Sequence, residues 1–202
     1  MKIAVIDYGM GNIGSVQNAL KEIGAQSALV QRPEDVKKFD RIILPGVGAF
    51  GDAMRILRKH GLDTALTQAV KKGAPLLGVC LGMQLICSTS EEGGSHRGLN
   101  WIQAKVVRLK SKPGVKIPHI GWNGIFFQKK SPLIEGIPDK SDFYFVHSYH
   151  VVCKNKNDVL ATCEHGQTFT AMIAHENIYA AQFHPEKSQR EGLKILTNFL
   201  KC

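Results

Sequence analysis

The 202-residue chain is short of aromatics, at 7%, of proline, with 8, and of acidic residues, with 17 Asp and Glu against 26 Lys and Arg. No apolar run approaches the roughly 18 residues that would cross a bilayer, so a transmembrane helix is excluded. There is no internal repeat, no low-complexity segment and no linker long enough to mark a domain boundary. The five cysteines, Cys80, Cys87, Cys153, Cys163 and Cys202, are odd in number and lack any C-x-x-C pair. That pattern fits neither a disulfide framework nor a zinc ribbon, and a reducing compartment follows. The opening Met1 to Asp7 carries one positive charge and a short apolar run that ends in an acid, unlike a secretory signal. A cytoplasmic protein is expected.

What is present is enough for a core. Apolar residues make up 44% of the chain and charged residues 21%, so disorder has no compositional basis. The length fits one domain, residues 1–202, and excludes a multidomain synthase. A net charge of +9 invites a nucleic-acid reading, but its distribution tempers it. Seven basic residues, Lys105, Arg108, Lys110, Lys112, Lys116, Lys129 and Lys130, fall in one segment with no acid, while the rest is nearly balanced. A solvated face explains this segment, and a surface for an acidic partner is the sharper alternative.

Continuous apolar runs at Ile3 to Ile6, Arg41 to Leu44 and Leu76 to Val79 read as buried strands, with helical spacing between them at Ile13, Val16, Leu20 and Ile23. Asn12 suits an N-cap, and Gly24 sits where that helix should stop. Two further helices are expected through Lys59 and Lys72. Strand alternating with helix implies a mostly parallel open sheet flanked by helices, an α/β fold. After Trp101 the period shortens, and strands near Ala104 to Leu109, Ile120 to Phe127, Phe143 to Val146, Val159 to Cys163, Phe169 to Ala174 and Ile178 to Phe183 form an additional, partly antiparallel β region. A closing helix from Gln189 to Leu200 presents Leu193, Leu196 and Leu200 on one face.

The segment Gly78-Val79-Cys80-Leu81-Gly82-Met83-Gln84 has the form G-x-C-x-G between a buried strand and a helical run. It is the thiol counterpart of the nucleophile elbow, in which flanking glycines let the chain turn and expose the nucleophile. Backbone N–H groups at the helix start would favour the thiolate. Cys87 reads as an ordinary buried thiol. A nucleophilic cysteine needs a base and the base an orienting group. Phe183-His184-Pro185-Glu186 supplies both, since Pro185 holds His184 extended and residues two apart project to one side. Among the other histidines, His147 and His150 compete most strongly. Leu81 N–H and a donor from Pro45-Gly46-Val47-Gly48, at the same sheet edge, could hold an oxyanion.

These two motifs, in this order and spacing, resemble the class I (triad) glutamine amidotransferases. Asp7 to Asn12, Pro45 to Phe50, Pro118 to Asn123 and Phe145 to Tyr149 are in addition similar to the glutaminase subunits of imidazole glycerol phosphate synthases, and the resemblance runs from Met1 to the final helix. It implies hydrolysis of L-glutamine to glutamate by nucleophile Cys80, base and acid His184 and orienter Glu186, with Val47, Gly48 and Leu81 around the oxyanion. Gln84, Glu92, Gly48, Ser148 and Tyr149 would bind the substrate's amino-acid end. No metal or organic cofactor is implied. It also implies a (β/α)8 cyclase partner, forming a heterodimer, that receives ammonia through a channel, with Asn12, Trp122, Tyr144 and Lys187 near its mouth. Neither nucleic acid nor membrane is an implied partner.

Two departures from the family pattern bear on the pathway. Expected glycines are replaced in Gly98-Leu99-Asn100-Trp101-Ile102-Gln103-Ala104, and His150 follows Ser148-Tyr149. They leave open a related glutaminase serving another synthase, such as one that amidates a surface sugar. A cysteine hydrolase without any synthase and a non-catalytic basic binding module are the alternatives from other classes.

Overall fold

A computed structural model describes residues 1–202. In chain order the elements are β1 (Ile3–Ile6), α1 (Ile13–Glu22), β2 (Ser27–Val30), β3 (Arg41–Gly46), α2 (Phe50–Lys59), α3 (Leu62–Lys71), β4 (Leu76–Cys80) and α4 (Leu81–Leu85). There follow β5 (Cys87–Ser90), β6 (His96–Arg97), β7 (Ile102–Arg108), β8 (His119–Phe127), β9 (Asp142–His147), β10 (Tyr149–Cys153), β11 (Val159–Glu164), β12 (Thr168–His175), β13 (Ile178–Ala181) and α5 (Gln189–Phe199). The sheet order is β2-β1-β3-β4-β13-β12-β10-β7-β5-β6, with β11, β8 and β9 branching from β12. From β2 to β13 every pairing is parallel. The antiparallel region starts at the β13–β12 pairing and stays continuous with the parallel half.

The continuous apolar runs follow from burial on both faces. Ile3 and Val5 point into one core with Val16 and Leu20 of α1 and Ile195 and Phe199 of α5. Ala4 and Ile6, one residue out of phase, point into the other with Leu57 of α2 and Leu66 of α3. Gly24 ends α1 in the left-handed conformation, φ +73, while Ala25 N–H donates to Leu20 O and Gly24 N–H to Lys21 O, closing the helix end.

Some expectations need correction. Asn12 occupies the N-cap position of α1, but its side chain makes no capping bond. The buried stripe of α5 is Gly192, Ile195, Leu196 and Phe199, with Leu193 and Leu200 only at its margin. Strands β5, β6 and β10 were not expected, because Cys87–Ser90 is polar and His96–Arg97 has only two residues. Asn100 adopts φ 57 in the segment where glycine was expected, a conformation asparagine tolerates better than most residues.

β13 lies beside β4 in parallel, with Ala181 opposite Val79, and β3 lies on its other side, with Gly46 opposite Cys80. The C-terminal ends of these three strands therefore share one sheet edge, although they come from opposite ends of the sequence. The turn out of β4 is made by the cysteine itself, at φ 54 and ψ −109. Such a φ is uncommon for a residue with a side chain and costs on the order of 1–3 kcal/mol. The flanking glycines do not supply it, since neither has a positive φ. They supply room: a Cβ on Gly82 would lie 1.8 Å from Leu44 O, and one on Gly78 would lie 2.9 Å from Gly82 O. Gly82→Ala should accordingly destabilise the protein by at least about 3 kcal/mol, because a backbone carbonyl of a central strand cannot yield cheaply. An unchanged urea midpoint would contradict this close approach.

Candidate active site

Cys80 ends β4 and begins α4, where its side chain is 7% exposed at the floor of a cleft of about 400 Å³. α4 is only five residues long, and the Cys80 side chain makes no capping bond to its first turn, so a long helix's dipole does not act on the sulfur. The thiol faces Val146 O at 3.8 Å, a contact only the protonated sulfur can donate to. The thiols of Cys87, Cys153 and Cys163 are less suited to act as nucleophiles. Burial pushes Cys87 up, and with the charge of Asp158 nearby it raises Cys153 to about 12; Cys163 is likewise raised to about 12, chiefly by burial.

The chain leaving β13 brings His184 and Glu186 to the same edge. His184 Nδ1 lies 2.8 Å from Glu186 Oε1, with side chains 4% and 2% exposed. His184 is extended, at φ −99 and ψ 97, as the following proline requires. Glu186 instead lies in a 3₁₀ turn over Pro185–Lys187, so the turn, and not the two-residue strand period, returns its carboxylate to the ring. Ser188 fixes that turn: its hydroxyl donates to His184 O at 2.6 Å and accepts from Tyr144 N–H at 3.0 Å. Burial alone would depress the imidazole's pKa, but hydrogen bonds to Cys80 and Glu186, together with their negative charges, outweigh it and lift the value to about 10. Nδ1 is held by the carboxylate, leaving Nε2 for the sulfur.

Val47, Gly48, Leu81, Gln84, Glu92, Ser148 and Tyr149 all line this cleft, as do Lys187, Val146, His147 and Pro118. The amide hydrogens of Gln84 are directed at Tyr149 O and Gln182 Oε1, both at 3.1 Å, so its own carbonyl remains free to accept. Glu92 accepts from Phe50 N–H at 2.8 Å, which ties this candidate substrate-binding carboxylate to the start of α2. The expectation for Val47 needs correction. Its N–H donates to Met10 O at 3.4 Å, so in this conformation it does not serve as an oxyanion donor. A larger cleft of about 770 Å³ opens between Phe127 and Glu135, but its lining includes no cysteine or histidine.

The competing histidines are committed elsewhere. His147 Nδ1 contacts Tyr149 O at 2.9 Å and its Nε2 contacts His119 Nδ1 at 3.0 Å, while Asn123 Nδ2 lies 3.3 Å from His119 Nε2. One tautomer set satisfies this row: Asn123 donates to His119, His119 to His147, and His147 to the Tyr149 carbonyl. His150 Nε2 contacts the Gln167 amide at 2.8 Å. Burial depresses His119 to about 4 and His147 to about 3, aided by neighbouring histidines. Both stay neutral in the folded protein at pH values where an unfolded histidine, near 6.5, takes a proton. The contribution of this pair to stability is therefore full above about pH 6.5 and falls as pH drops toward 4, with unfolding taking up about two protons at these two sites in that window. Urea midpoints between pH 7 and 4.5 check this, and a flat profile would contradict the neutral row.

Trp122 and Tyr144 sit opposite each other on β8 and β9 and stack edge-on at 6.0 Å, with Trp122 47% exposed. Lys187 is exposed beside the cleft, and Asn12 stands at the start of α1. Lys105, Arg108, Lys110, Lys112, Lys116 and Lys130 are exposed, as a solvated face requires, whereas Lys129 is half-buried and donates to Ala174 O at 2.8 Å. Sequence reasoning missed Tyr8, whose hydroxyl is buried without a partner and touches Gly46. Burial first, and the charge of Cys80 second, push that phenol's pKa well up. It also missed Gln182, whose amide reaches the Cys80 sulfur.

The model of the family "Glutamine amidotransferase class-I" matches residues 4–202. The chain is 48% identical to the "Imidazole glycerol phosphate synthase subunit HisH" of Sulfurimonas denitrificans over 98% of this chain and 97% of that protein. It is also 48% identical to the protein of the same name from Moorella thermoacetica, over 98% and 93%. Among solved structures, PurLQS from Thermotoga maritima superposes with a TM-score of 0.77 over 99% of this chain and 97% of that one, at 17% identity, which speaks to the fold alone.

Proposed function

Since the chain belongs to the class I glutamine amidotransferase family, we propose that it is the glutaminase subunit of an imidazole glycerol phosphate synthase, with Cys80, His184 and Glu186 as its catalytic triad. The observation that carries this reading is the buried His184–Glu186 pair delivered to the edge where Cys80 turns out of β4. The likeness to relatives of that name supports the pathway, histidine biosynthesis.

The chemistry follows from the geometry. The Cys80 thiolate adds to the carbon of the glutamine side-chain amide, and the resulting oxyanion is held by Leu81 N–H and a donor from the Pro45–Gly48 strand. His184 gives its proton to the nitrogen, the C–N bond breaks and ammonia leaves. A water then attacks the thioester while His184 takes its proton, releasing glutamate and restoring the thiolate. Glu186 holds the imidazole in the tautomer and orientation both steps need. Gln84, Glu92, Gly48, Ser148 and Tyr149 would hold the substrate's amino-acid end. None of these steps needs a metal or organic cofactor.

Ammonia released into water would be protonated and lost, so the reading includes a cyclase, bound as a heterodimer, that takes it through a channel. Exposed Ile120 and Trp122, on the strand that follows the cleft residue Pro118, suit the docking face, with Asn12, Tyr144 and Lys187 at its margin. Neither nucleic acid nor membrane is among the proposed partners, and the place of action is the cytoplasm. Residues 1–202 act as one domain in this reading, which the unbroken run of the sheet supports. Glutamine labelled with ¹⁵N in its side-chain amide tests it: the cyclase product of the complex should carry the label, and unlabelled product would overturn the assignment.

A further inference from the structure

Gln182 lies between the end of β13 and His184, fully buried, and the reaction as derived does not use it. Its backbone is fixed by N–H donation to Ala171 O at 2.9 Å. Its side-chain carbonyl accepts from Gln84 Nε2 at 3.1 Å, which settles which end of the amide is which. The NH₂ end therefore faces the other way, and it reaches Cys80 Sγ at 3.8 Å, long for an oxygen acceptor but within reach of the larger sulfur. Gln84 is itself anchored, since its second amide hydrogen goes to Tyr149 O at 3.1 Å. A row of committed hydrogen bonds thus runs from the substrate-side Tyr149 through two buried amides to the nucleophile.

The sulfur has two kinds of neighbour. Val146 O can only accept, so it favours the thiol; Gln182 N–H and His184 can donate, so they favour the thiolate. We propose that the Gln182 carboxamide is a thiolate-stabilising donor to Cys80, locked in its donating orientation by Gln84. The proposal rests on Cys80 being the nucleophile. The other titratable or charged groups facing the sulfur's surroundings are Tyr8 from the β1–α1 turn, Glu186 behind His184, and His147, Glu92 and Lys187 around the cleft. None of these is altered by changing Gln182. A hydrogen bond to a charged acceptor corresponds to about a tenfold change in equilibrium, or about one pH unit in the onset of thiolate.

The test is the pH dependence of Cys80 alkylation by iodoacetamide, followed by peptide mapping, in the wild-type chain and in Gln182→Met, which keeps the bulk and removes the donor. The midpoint should move up by about one pH unit, and kcat/KM for glutamine in the cyclase complex should fall about tenfold at neutral pH and recover as pH rises. An unchanged midpoint in a folded variant overturns the proposal. Should Gln182→Met fail to fold, the wild-type protein still decides. With glutamine residues labelled with ¹⁵N, the Gln182 side-chain NH₂ signal should shift with the same midpoint as alkylation, and a signal blind to that midpoint overturns the proposal. Normal turnover with an unmoved midpoint defeats this inference alone. A moved midpoint in a complex that never turns over glutamine defeats the functional reading and leaves the donor assignment standing.

Discussion

Replacing Cys80 with alanine should lower glutamine-dependent synthesis by the complex by at least about 10⁴-fold, while synthesis from supplied ammonia continues at the wild-type rate. The asymmetry follows from the division of labour. In the proposed reaction Cys80 adds to the amide carbon, whereas ammonia entering from solution bypasses that step. Alanine also fits the site: it removes a sulfur whose polar contacts, Val146 O of β9 and the Gln182 amide, are both as long as 3.8 Å, so the strands that carry the docking face lose no short hydrogen bond. Steady-state assays with glutamine and with ammonium salt separate the two activities. Loss of both would place the damage in folding or docking and contradict a purely chemical role for Cys80.

The isolated chain should hydrolyse glutamine about 10²–10³-fold more slowly than the complex with its nucleotide bound, the usual cost of one missing oxyanion donor. The reason is visible in one hydrogen bond. Val47 N–H, on the strand expected to supply a donor, points to Met10 O at 3.4 Å, and Gly48 next to it is left-handed at φ +98. Turning that peptide toward the cleft requires release of the Met10 contact. The glycines on either side of Val47 permit such a turn, and Met10 lies on the same β1–α1 segment as Asn12, at the proposed docking margin. Partner binding there would reach the oxyanion through a single peptide. Glutaminase rates with and without cyclase and nucleotide check this, and equal rates would show that the donor is already in place.

How much of this could be read in the sequence varied with how local the physics was. The parallel half was legible because strands buried on both faces must be apolar throughout, as Ile3–Ile6 and Leu76–Val79 are. The proposed nucleophile and base were legible as candidates because G-x-C-x-G and F-H-P-E each encode a turn at a strand end. What the glycines do was not: the strained φ belongs to Cys80, and Gly82 is needed because Leu44 O passes close by, a contact between distant segments. The same limit hid Gln182, whose direction is set by Gln84 from the distant helix α4, and the His119–His147 pair, which forms only because β8 and β9 pair in that register. The direction of the Val47 peptide was hidden for a related reason, since residue types do not state which way a peptide faces.

The most direct measurement is covalent capture of the nucleophile. A glutamine-analogue electrophile incubated with the complex, followed by intact mass and peptide mapping, should add one label per chain on Cys80 and none on Cys87, Cys153, Cys163 or Cys202. The same treatment of His184→Ala should label far more slowly. A label on another cysteine, or a wild-type chain left unlabelled while it consumes glutamine, would contradict the assignment of Cys80 as the attacking group.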